Sequence, residues 1–68
     1  MDEESIVILL NQADGFYQEE KYYLALPIYQ ECFNEQSKTL GLNDKKTFRT
    51  LNQLENCYDL IDDFKYDG

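Results

Sequence analysis

Histidine, the commonest general base, is absent from this 68-residue chain. Ser5 and Ser37 have no base at a spacing that would activate them, so a hydroxyl nucleophile lacks its second member. Neither Cys32 nor Cys57 has the neighbouring cation pattern that lowers a thiol pKa, and both read as packing residues. Two cysteines without histidine make a poor zinc set. The acids Asp59, Asp62, Asp63 and Asp67 lack the order and central glycine of a calcium-binding EF-hand loop. No glycine-rich phosphate loop occurs. The expectation is a chain that is not an enzyme and uses no cofactor or metal, so that its chemistry is recognition.

Composition limits what can be recognised. Fourteen acidic residues against six basic ones give a net charge of −8, which repels nucleic-acid phosphates and anionic lipid surfaces. Basic or neutral protein partners are favoured. No secretory-type leader is present, and no apolar run approaches the roughly 18 residues of a membrane span, so the expected setting is cytoplasmic with reduced thiols. A domain of 68 residues buries little apolar surface, so extra stabilisation is to be sought in a repeat array or an oligomer.

The elements that would position such a surface are helical. Apolar spacing predicts a first helix over about Glu3 to Glu19, with Ile6, Leu9, Leu10, Ala13, Phe16 and Tyr17 on one side and Asp2 or Ser5 as its cap. A second runs over about Tyr22 to Leu40, carrying Ala25, Ile28, Tyr29, Cys32, Phe33 and Gln36, and Gly41 is placed to end it. Asn43 or Asp44 caps a third, over about Lys45 to Phe64, with Leu51, Leu54, Tyr58 and Ile61 as its stripe. Pro27 fits if it lies within or just beyond the first turn of the second helix, where its missing amide hydrogen has few intrahelical acceptors. No strand alternation competes with this all-α reading, and Tyr29 and Tyr58 are expected in the core.

Aromatic pairs recur. Phe16 and Tyr58 stand 42 residues apart, as do Tyr22 and Phe64, which suggests a repeated helical pair. The run from Lys21 to Tyr58, KYYLALPIYQECFNEQSKTLGLNDKKTFRTLNQLENCY, resembles tetratricopeptide repeats of the long, kinesin-light-chain-like variety. Tyr22, Ala25, Pro27 and Tyr29 match the opening of that family's second helix, Leu40 and Gly41 its loop, and Leu51, Asn52, Leu54 and Tyr58 the start of the next repeat. Glu55 departs from the pattern, where a small residue is usual, and so does Asp62, where glycine is common. The resemblance implies one TPR-like domain over residues 1–68, with a first repeat over about 3–41 and the first helix of a second over about 44–64. It implies a helix–turn–helix plus a third helix, and a protein-interaction module, either a fragment of a longer repeat protein or a small adaptor.

First helices of this family line a concave groove for extended peptides. By that analogy Asn52 and Asn56 would hydrogen-bond a ligand backbone, with Arg49 and Asp59 on the same polar face and with Asn11, Asp14 and Tyr17 facing them from the first helix. The basic pair some members use for a terminal carboxylate is not evident. The second expectation is structural. Apolar residues of the third helix, from Phe48 to Phe64, cover roughly 240° at about 100° per residue, more than one neighbour hides. The first helix folds over them in a three-helix bundle, or aromatic residues simply remain partly exposed, or Leu60, Ile61 and Phe64 self-associate in a homodimer that completes the unfinished repeat.

Overall fold

The computed structural model describes the backbone of residues 2–66 and the side chains of residues 2–62. It contains three helices, α1 (Glu3–Gln18), α2 (Tyr22–Thr39) and α3 (Lys45–Tyr66), with no strand among the described residues.

Each helix end has a local cause. Asp2 caps α1 by accepting the Ser5 amide at 2.9 Å, and Glu3 and Glu4 complement the positive end of its dipole. The helix closes in a double reversal, the Lys21 amide donating to Phe16 O at 2.9 Å and the Glu20 amide to Tyr17 O at 3.1 Å. This requires a left-handed backbone at Glu20, where φ is 64° and no glycine relieves the Cβ. Gly41 takes the same role after α2, with φ of 88°. Asp44 opens α3 by accepting the Lys46 amide at 2.9 Å.

Pro27 lies just beyond the first turn of α2, as expected. With α2 starting at Tyr22, proline is the sixth helical residue, and its ring removes the bond that would end on the Tyr23 carbonyl. Both residues lie on the exposed side of α2, so the freed carbonyl is not sealed in the core.

α2 packs against both other helices, whereas α1 and α3 touch little. The Cα trace spans 39 × 21 × 14 Å, and α1 does not fold over α3 as a closed bundle would require. The core is small residues surrounded by larger ones. Ala13, Ala25, Cys32 and Cys57 are fully buried where the helices approach, and Tyr29 and Leu54 fill the space beside them.

The buried stripe of α3 differs from the expected one. Thr47, Thr50, Leu54 and Cys57 face inward, while Tyr58 is 47% exposed and not a core residue. Two threonines therefore sit where an apolar count looks for leucine. Thr50 tolerates burial because its hydroxyl donates to Lys46 O at 3.1 Å. Tyr58 instead lies along the outer edge, donating its hydroxyl to Gln30 Oε1 at 3.2 Å.

Candidate functional site

Because α1 and α3 flank α2 without closing on each other, a cleft of about 540 Å³ opens between them, within the size range of ligand pockets. The α1 wall is built at helical spacing from Ile6, Val7, Leu10, Asn11 and Asp14. The α3 wall presents Lys46, Arg49, Thr50 and Gln53. Tyr29 and Gln36 form the floor from α2, and Thr39 and Leu40 lie toward its end.

Polar ties mark both ends. At one, Lys46 Nζ donates to Glu3 Oε1 at 2.7 Å, joining α3 to α1, and this bond holds the ammonium pKa above its ordinary value. At the other, the Tyr29 hydroxyl donates to Asp14. Burial first, and this bond second, push the Tyr29 phenol well above the ordinary tyrosine range, so it is neutral and a donor at physiological pH. Tyr17 and Tyr22 pack edge to face with centroids 5.2 Å apart, and Tyr17 meets Tyr29 at 6.5 Å, which fixes the floor from behind.

The residues singled out from sequence fall in different places. Asn11, Asp14 and Arg49 line the cleft. Tyr17 packs against the core cluster. Asn52, Asn56 and Asp59 are exposed on α3 outside the cleft, with Asn56 Nδ2 at 3.5 Å from Gln53 Oε1. Leu60 and Ile61 are half-buried, and Phe64 lies outside the described side chains.

Sequence reasoning missed Gln36 and Gln53 as site residues. Gln36 falls on the apolar stripe of α2, and that position is the signal that places it under the cleft. The thiols offer little reactivity. Burial pushes Cys32 up to about 11, with Glu31 adding to it, and burial also raises Cys57. Among the described residues, no group of three or more histidine, cysteine, aspartate or glutamate side chains is placed to hold a metal. No described helix is long and apolar enough to cross a membrane.

Comparison with protein-family models, curated proteins and solved structures gave no match.

Proposed function

We propose that the chain is a protein-interaction module that holds an extended peptide segment of a partner in the cleft between α1 and α3. The observation that carries this reading is the cleft itself: about 540 Å³, with contributions from all three helices, an apolar wall at Ile6, Val7 and Leu10, and hydrogen-bonding side chains opposite. This combination suits a peptide, whose side chains alternate between apolar contact and polar exposure. The resemblance of residues 21–58 to tetratricopeptide repeats supports the same class of function. A net charge of −8 favours a neutral or basic segment. The buried free thiols Cys32 and Cys57 suit a reducing compartment, taken here as the cytoplasm.

The test is selection of peptides from a displayed random library on the immobilised chain, followed by fluorescence anisotropy. Selected peptides are expected to lose binding to Val7→Arg/Leu40→Arg, which alters two cleft residues that are 49% and 42% exposed and so spares the core. Unchanged affinity for this variant overturns the reading.

A second reading, self-assembly, is favoured by one observation. Phe48 and Tyr58 are 57% and 47% exposed on the side of α3 away from the cleft, an apolar edge that a second copy would cover. It is compatible with the first, because it uses a different face.

A further inference from the structure

Three polar side chains of the cleft, Asn11, Gln36 and Arg49, have no hydrogen-bond or ion-pair partner among the described residues, and the last two are of opposite kinds. Gln36 is only 3% exposed, and its Oε1 is buried without a hydrogen-bond partner. Native proteins rarely leave a buried acceptor unpaired, because its desolvation is then uncompensated. Arg49, on the α3 wall, has no ion pair or hydrogen bond among the described residues. The acids around it are engaged: Glu3 with Lys46, Asp14 with the Tyr29 hydroxyl, and Asp2 with the Ser5 amide.

The buried Gln36 acceptor calls for a donor from an occupant, and the exposed Arg49 guanidinium, otherwise solvated, offers that occupant a donor of its own. An ammonium or guanidinium group meets the first need but sets a cation beside Arg49. A carboxylate meets the second, yet it offers Gln36 only another acceptor and must approach a chain of net charge −8. A primary carboxamide carries both functions on one neutral, planar group, and it complements the terminal amide of Gln36 in either orientation. We infer that the cleft selects peptide segments bearing a glutamine or asparagine side chain, whose carboxamide pairs with Gln36 on the floor and accepts from Arg49 on the wall. Apolar neighbours in the same segment lie against Ile6, Val7 and Leu10. The inference rests on the cleft being the peptide site and adds what it reads there.

The probes are four capped peptides, Ac-Lys-Leu-Xaa-Leu-Lys-NH2 with glutamine, methionine, glutamate or lysine as Xaa, titrated into the ¹⁵N-labelled chain and followed by NMR. The glutamine peptide is expected to bind about tenfold tighter than the methionine peptide, which has similar length and the same main chain but lacks the carboxamide. It is also expected to bind tighter than the charged pair and to shift the Gln36 side-chain amide signal. Gln36→Met is expected to remove the preference while melting no lower than wild type, since an unpaired buried acceptor is lost. Arg49→Met, at an exposed position, is expected to reduce the preference in a chain with an intact core. Equal binding of the glutamine and methionine peptides overturns the carboxamide inference and leaves the cleft reading standing. If none of the four perturbs cleft signals at millimolar concentration, both are overturned.

Discussion

Tyr29, only 1% exposed, donates its hydroxyl to Asp14, fifteen residues earlier, and so ties the floor of the cleft to the α1 wall. One side chain thus serves packing and site geometry together.

Tyr29 and Tyr58, alike in sequence spacing, should part company in stability. Tyr29→Ala removes a buried ring and leaves Asp14 without its donor, at a cost of about 3–5 kcal/mol. Tyr58→Ala removes a half-exposed ring and should cost about 1 kcal/mol. Urea unfolding of both variants checks this, and equal losses would refute the placement of Tyr58 on the outer edge.

Alkaline pH should unfold the chain earlier than exposed groups would. Cys32 has its pKa pushed from 9.0 to about 11 by burial and Glu31, and Tyr29 is raised above 10.0 by burial and Asp14. The unfolded chain loses these protons first, so the stabilisation is full below about pH 9 and is lost as pH rises through the folded-state values. Urea midpoints should fall from about pH 9 upward, and Cys32→Ala should flatten the first part of the fall relative to its own neutral value. A midpoint that is constant from pH 7 to about 11 would contradict it.

Features set by neighbours in the chain were legible in the sequence, and those set by helix placement were not. Asp2, Asp44 and Gly41 act within a turn of themselves, which is why both caps and the stop after α2 could be read. The buried side of α3 is not legible because Thr47 and Thr50 count as polar; Thr50 buries by bonding to its own helix, whereas the Thr47 hydroxyl is buried without a hydrogen-bond partner. Tyr58 falls on the apolar stripe by spacing yet lies at the outer edge of the α2–α3 contact, its hydroxyl on Gln30. The cleft depends on how far α1 stands from α3, a relation no local pattern encodes. Asn11, Asp14 and Arg49 follow from the tetratricopeptide analogy together with helical facing, but Asn52, Asn56 and Asp59 lie about a quarter-turn away from the α3 wall.

Two backbone positions should be improvable. Gly15 lies inside α1 with nothing within 4 Å of an added Cβ, so Gly15→Ala should stabilise by about 0.5–1 kcal/mol. Glu20→Gly should help by a similar amount, about 1 kcal/mol, because φ of 64° is unfavourable for glutamate. Thermal melts of both variants test this, and a lower melting temperature for Glu20→Gly would rule out the left-handed turn.

Self-association should run through the exposed edge of α3. Sedimentation equilibrium is expected to show a dimer that strengthens with moderate salt, as repulsion at net charge −8 is screened. Phe48→Lys/Tyr58→Lys should dissociate it. A wild-type chain that stays monomeric at high micromolar concentration would dismiss the second reading and leave the cleft untouched.

The most direct measurement of the central claim is paramagnetic broadening of the ¹⁵N-labelled chain by a selected peptide carrying a nitroxide at one end. The expected result is loss of amide signals concentrated at Leu10, Gln36 and Gln53, which border the cleft from three helices. Broadening centred on Asn52, Asn56 and Asp59, with the cleft signals unaffected, would contradict the account and return the binding site to the outer polar face of α3.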